Sequence, residues 1–316
     1  MLSRRATLVG TALVVLYTMM ISGADAITKL IASGYAAPQL FVVSGFLVVA
    51  LSWGAARLKG EGQSLRTICP KAMAMRSALT VVGSVAFFHA FRLLPLAEVF
   101  VFIGMMPIFA GLFSAPILHE HVRPMAWAAL CAGFVGMLCL FPGGISTVST
   151  GYLVALFACV CGTLSLVLAR YIGQHENNSL AQVFYPNLSL AVVMAAVLPF
   201  VFKPMPITDV MWMLAYGVLL FAARWLSVIA LRLMAAYTVT PLMNLQFVWM
   251  VVLGALFFGE FPALHIYLGV SIVIGSGVFL VYDQMQPEGV PYPWVGRFKL
   301  ALERWGYTRA STRSSL

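Results

Sequence analysis

The chain has 316 residues, of which 62% are apolar and 9% charged, with a formal net charge of +9. A soluble protein carries about 25% charged residues, so a water-facing surface all round is excluded. The basic excess is scattered at the ends of apolar runs and not gathered with aromatics on one face. That pattern marks membrane topology and argues against nucleic acid as a partner.

Apolar runs long enough to cross a hydrocarbon core of about 30 Å recur along the chain. The pattern predicts an all-α polytopic membrane protein with ten transmembrane helices. They fall near 8–31, 38–56, 72–92, 96–118, 124–142, 150–171, 180–201, 208–231, 237–258 and 262–282. Their connections are short and carry Gly, Pro or a charge, the usual breakers. Arg4-Arg5 before an apolar run resembles a signal peptide. That run is too long, holds Asp25 and lacks a cleavage site, so it reads as a retained first span.

In the third and fourth spans, residues 77–120 form two apolar runs broken at Arg92-Leu93-Leu94-Pro95 and closed by Glu120. The design returns 140 residues later: Arg232-Leu233 at a break, a second run, and Glu260 closing it. Ala90, Val99 and Ala115 repeat as Ala230, Val239 and Ala255. Lys and Arg orient the chain. With the N-terminus inside, the inner segments hold Arg4, Arg5, Arg57, Lys59, Arg66, Lys71, Arg76, Arg123, Arg170, Arg232 and a basic tail. The outer connections hold only Arg92 and Lys203. Five spans per half is an odd number, so the second half is inverted. Inverted repeats are a recurrent architecture of secondary transporters. Arg92 and Arg232 then lie on opposite sides and read as matching hinges.

The expected units are a first five-helix repeat at 1–145, a second at 146–283, and a cytoplasmic basic amphipathic tail at 284–316. In the tail, Val295, Phe298, Leu302 and Trp305 share one helical face, which suits an inner-leaflet anchor. Five cysteines, four inside apolar runs and none in a CxxC pair, read as small apolar side chains. No motif of a hydrolase, metalloprotease or P-loop enzyme occurs, so no enzyme activity is expected. His119 and His121 flank Glu120 at a turn, a poor spacing for a metal; no metal or cofactor is expected.

Polar residues inside spans carry the functional reading, because they are expensive there and face a cavity or a partner. Asp25, Lys29 and Glu98 fall near the outer end and are candidates for gating or proton coupling, with a structural ion-pair network as the alternative. Arg224, about 12 Å from the inner end of the eighth span, could hold a carboxylate or phosphate bidentately. It could equally pair with a buried acid or reach inward to the headgroups. The middle of the membrane offers Thr80, Ser84, Phe102, Met106, Thr163, Asn244, Gln246 and Trp249 as substrate-binding candidates, with Met105, Ser165 and Asn187 also lining it. A few polar groups on an aromatic wall suit a small organic molecule better than a bare ion. Each one taken singly also fits ordinary helix packing. Gly133/Gly136 and Gly269/Gly275/Gly277 read as close helix packing.

These features resemble the drug/metabolite transporter superfamily, EamA type, over about residues 8–282. The residues that carry the resemblance are the stretch FFHAFRLLPLAEV at Phe87 to Val99, FFGEFP at Phe257 to Pro262, and a Glu closing the fourth and ninth spans. In the first span, Ala24 to Lys29 (ADAITK) is similar to the D-x-x-[SAT]-K pattern of a subgroup that contains S-adenosylmethionine and riboflavin uptake carriers. That subgroup often has an Arg in the second span, where this chain has Ser44, and a Pro-x-[Arg]-Tyr pattern where this chain reads Pro241-Leu242-Met243-Asn244. The resemblance implies two inverted five-helix repeats, peripheral fifth and tenth spans, and a cavity enclosed by spans 1, 3, 4, 6, 8 and 9.

The expected function is secondary transport of a small organic metabolite, an amino acid, vitamin or nucleoside-like compound, across a bacterial inner membrane by alternating access. Both termini would be cytoplasmic. The expected partners are the solute and the lipid bilayer, with a homodimer left open. A non-transporting membrane scaffold or an integral-membrane enzyme is the competing class.

Overall fold

The computed structural model describes residues 4–32, 34–58, 65–93, 102–120, 122–140, 150–249 and 264–286. Among them the chain is helical, with short connections and no strand. The helices are α1 (Arg4–Ala32), α2 (Ala37–Leu58), α3 (Pro70–Leu93), α4 (Met106–Leu118), α5 (Pro124–Leu140), α6 (Thr150–His175), α7 (Ser179–Val197), α8 (Ile207–Leu233), α9 (Ala236–Met243) and α10 (Leu264–Met285). α1, α2, α3, α6, α7 and α8 are each long and apolar enough to cross a membrane, and α4, α5 and α10 contain shorter apolar segments. Large apolar side chains such as Leu8, Phe46, Trp53, Phe157 and Val218 stand exposed on the outside. Water would not tolerate that surface; acyl chains do.

Local chemistry sets several helix ends. α3 and α5 start on Pro70 and Pro124, whose missing N–H costs nothing in a first turn. Asn178 caps α7 by accepting from the Ala181 N–H at 3.2 Å. α4 stops at His119, which takes left-handed backbone angles (φ 55°), while the Glu120 N–H donates back to the Ser114 carbonyl at 3.3 Å. This stop aims Glu120 back at the bundle.

The packing carries the internal repeat. α1 lies along α8 and α3 along α6; these two pairs exchange when each helix is replaced by the one five places away. α4 on α6 and α9 on α1 exchange in the same way, and α2 on α7 and α5 on α10 map onto themselves. In lipid there is little hydrophobic gain between helices, so close van der Waals fit decides the contacts. On α5, a Cβ at Gly133 would stand 2.7 Å from Ser276 Oγ, and one at Gly136 would stand 2.8 Å from Ile272 of α10. Gly277 is closed off by Leu242 at 3.1 Å, whereas Gly275 meets nothing within 4 Å and is no packing contact.

One end of the bundle is tied by charges. Arg170 on α6 bridges Glu120 and the last turn of α8. Arg232 donates to Asn177 and Ser179, and Glu176 accepts from Thr67 Oγ1 at 2.8 Å and Ile68 N at 2.6 Å. Arg123 pairs with Asp283 at 3.3 Å. At the opposite end, the Tyr35 hydroxyl donates to Asp209 at 2.6 Å, and the Gln39 amide exchanges two hydrogen bonds with the Lys203 backbone. Two arginines counted with the inner charges in the sequence lie inside helices near that end. Arg76 and Arg170 lie within α3 and α6 and are only 8% and 5% exposed.

Candidate substrate-binding site

Two helix breaks define the middle of the bundle. A helical turn at 102–104 is interrupted at Met105 before α4, and α9 is interrupted at Asn244–Leu245 before helix resumes at Gln246. The breaks sit 140 residues apart, at the offset of the repeat. In both, bonds of the i→i+3 kind replace the helical ladder: Met105 N to Phe102 O at 3.0 Å, Leu245 N to Leu242 O at 3.0 Å. Pro107 and Pro241 beside them remove donors that the ladder would need. Such breaks are tolerated in a membrane where neighbouring groups satisfy the freed backbone.

The neighbours that do so are again exchanged partners. α1 serves the second break: Ser22 Oγ donates to the Gln246 carbonyl at 3.1 Å, and Trp249 Nε1 donates to Thr18 Oγ1 at 3.0 Å. α6 serves the first: Cys159 Sγ lies 3.0 Å from the Phe102 carbonyl, and a Cβ on Gly162 would meet Met106 Cε at 2.9 Å. Phe102 is buried and stacks on Tyr152 with centroids 5.9 Å apart. Asn244 is buried at its break, while Gln246 and Trp249 are half-buried.

Thr80 of α3 and Ser165 of α6 meet at 2.9 Å. Thr80 also donates to the Arg76 carbonyl at 2.9 Å. A hydroxyl has one proton, so Ser165 donates to Thr80 in that arrangement. Thr163 is wholly buried and donates to Cys159 O of its own helix at 2.8 Å. Ser84 is half-buried on α3.

Among the described residues, the charged groups of the middle are arginines. Arg76 Nη1 donates to the Gln182 backbone carbonyl at 2.8 Å and to Gln182 Oε1 at 2.7 Å. Its Nε has no partner among the described residues, nor do Gln182 Nε2 and Asn187 Oδ1. Arg224 is half-buried on α8, and no hydrogen bond or ion pair of its guanidinium occurs among the described residues. It lies within electrostatic reach of Arg76, Tyr17 and Tyr216. Asp25 and Lys29 belong to α1, but their side chains lie outside the described residues, as do Glu98, Glu260, His121 and the chain beyond 286. A separate apolar concavity of about 650 Å³ between α3 and α7, lined by Met73, Ser77, Val81 and Tyr185 among others, holds none of the candidates.

Arg224, Thr80, Phe102 and Asn244 stand out in the sequence as site candidates, whereas Arg76 is counted there only as an inner charge. Arg76 stands more than a turn inside α3 and one turn before Thr80, a spacing that puts both on one face. That was the available signal.

The model of the EamA-like transporter family matches this chain twice, over residues 8–141 and 149–282. Over 232 residues the chain is 26% identical to a riboflavin transporter of Rhizobium johnstonii, covering 72% of this chain and 76% of that one. It is 25% identical over 224 residues to a riboflavin transporter of Vibrio cholerae, covering 70% and 74%. A crystal structure superposes with a TM-score of 0.74 at 19% identity, over 90% of this chain and 99% of the other, a likeness of fold. With two matched repeats that together span most of its length, the chain belongs to the EamA-like transporter family.

Proposed function

We propose that this membrane transporter is a secondary carrier of a small organic metabolite in the bacterial inner membrane, working by alternating access between two inverted five-helix halves. The observation that carries this reading is the exchange symmetry of the packing: α1 on α8 and α3 on α6, with broken helices at Met105 and Asn244–Leu245 in corresponding places. Two halves of like structure and opposite orientation can trade conformations, so that the site between them opens to one side and then the other. The breaks supply hinges, because residues outside the helical ladder absorb backbone rotation at low cost.

The charge-tied end, which holds Arg66, Arg123, Arg170 and Arg232, is then the cytoplasmic one by the excess of basic residues, and both termini are cytoplasmic. Thr80, Ser84, Phe102, Met106, Thr163, Asn244, Gln246 and Trp249 surround the solute path with Arg224, and Asp25, Lys29 and Glu98 serve the outer mouth. The names of the relatives make riboflavin the first solute to test, followed by amino acids and nucleosides. The test is uptake and counterflow in liposomes holding the purified full chain. Saturable flux of one such solute above protein-free liposomes is the expected result, and absence of flux for all of them would sink the reading.

A further inference from the structure

We infer that the solute, or the part of it that is recognised, carries an anionic oxygen group, and that Arg76 and Arg224 hold that group between the two halves. The inference rests on the transport reading above and narrows its solutes to amino acids and other acids, since riboflavin and nucleosides carry no such group at neutral pH. Both side chains stay charged at any accessible pH. Arg76 is 8% exposed, its Nη1 is bound only to the neutral Gln182, and its Nε is left without a partner among the described residues. Arg224 has no bonded partner among them, and the two guanidiniums are near enough to repel one another.

Burying one unpaired charge in a low-dielectric interior is costly, and a second like charge raises the cost. The described carboxylates do not lower it. Glu120 is held by Arg170, Asp283 by Arg123, Glu176 by Thr67 and Ile68, and Asp209 by Tyr35, all at the ends of the bundle. The α1–α8 register sets Gly10 beside Met234 and Gly23 beside Leu219. That register puts Thr18 and Met19, next to Tyr17 and more than a turn from Asp25, at the height of Arg224.

The two arginines lie within about 5 Å of one another in depth. Arg76 is about 9 Å along α3 from Pro70, and Arg224 about 14 Å from Leu233 at the end of α8. Both counts start from the same end of the bundle, since Thr67 and Ile68 bond Glu176 while Arg232 bonds Asn177. The Gln182 amide, fully buried with Nε2 unpartnered, and the hydroxyl-bearing Tyr17 and Tyr216 add neutral polar groups nearby. Guanidinium forks match carboxylate and phosphate oxygens. Arg76 belongs to the first half and Arg224 to the second, so the anion would draw the halves together as it binds.

The test is thermal unfolding of the purified full chain in sodium succinate, sodium phosphate or sodium chloride at matched ionic strength. We expect succinate or phosphate to raise the wild-type Tm by about 3 °C or more over chloride. A response to succinate alone assigns a carboxylate, and a response to phosphate alone assigns a phosphate ester. Arg224→Gln and Arg76→Gln are expected to lose most of the shift, and Arg224→Lys to keep part of it. Without anion, Arg224→Gln melts no lower than wild type, because it relieves a repulsion. If Arg76→Gln fails to fold, Arg224→Gln carries the test, having no side-chain bond to lose among the described residues. An equal shift in wild type and Arg224→Gln, or a wild-type shift no larger than in chloride, overturns the inference. If solute flux is found and Arg224→Gln carries it at the wild-type rate, the inference fails and the transport reading stands. An anion shift without any flux has the opposite meaning.

Discussion

Arg170 donates to Glu120 Oε1 from Nε at 3.0 Å and from Nη2 at 2.8 Å, and its Nη1 reaches the carbonyl oxygens of Leu231 and Arg232 at 2.9 Å each. One guanidinium thus fastens the end of α4 to the last turn of α8. Glu120→Gln keeps the shape but removes the charge that Arg170 neutralises. Breaking a buried pair from one side costs several kcal/mol, and Glu120 is partly exposed, so the expected loss is about 2–4 kcal/mol. A double-mutant cycle with Arg170→Gln, read by Tm, checks it; additive effects would show that the pair is not coupled.

Gly136→Ala would push a methyl to 2.8 Å from Ile272 and 3.0 Å from the Gly269 carbonyl. Backbone cannot yield as a side-chain tip can, so the expected cost is about 1–3 kcal/mol. Gly275→Ala lies on the partner helix and meets nothing within 4 Å; it should melt with the wild type. Equal Tm values for the two variants would show that α5 and α10 do not meet as described.

Trp249→Phe removes the N–H donated to Thr18 at 3.0 Å, one of the two bonds by which α1 holds the second break. A neutral hydrogen bond contributes about 0.5–1.5 kcal/mol, so the change in Tm should be small. The larger effect is expected on solute flux, because the bond joins a hinge to the helix it swings against. Unchanged flux would separate this contact from the transport cycle.

Tyr35 donates to Asp209 at 2.6 Å, and that bond, followed by partial burial and the carboxylate's charge, raises the phenol above its ordinary 10.0. A folded-state value raised above the unfolded one gives stability that is complete below the unfolded value and is lost as pH climbs through the folded one. Wild type and Tyr35→Phe should therefore differ in Tm at neutral pH and converge as pH rises above about 10. A constant difference across that alkaline window would contradict the bond.

Six crossing helices and the repeat were legible in the sequence. Every crossing helix needs a long apolar run, and the repeat leaves Ala90 and Ala230 at equivalent, fully buried positions. Glu120 was visible as the residue closing an apolar run, but its partner was not. Arg170 lies 50 residues away, and only the folded chain brings it within 2.8 Å. Arg76 was passed over for a related reason. An arginine a turn or so inside a predicted span can reach outward to headgroups or inward to a neighbour, and hydropathy is the same for both. Thr163 and Asn187 show the limit for polar residues in general. Each donates to a carbonyl four residues back in its own helix, which the sequence allows but does not distinguish from facing a cavity.

Alternating access requires the two ends of the bundle to open in turn. The direct measurement joins the charge-tied end covalently. With the native cysteines replaced, Glu120→Cys and Arg170→Cys are bridged by a short, reducible bifunctional thiol reagent, and solute flux is followed in liposomes. The account predicts that bridging stops flux and that reduction restores it. Flux that continues unchanged through the bridged protein would contradict it.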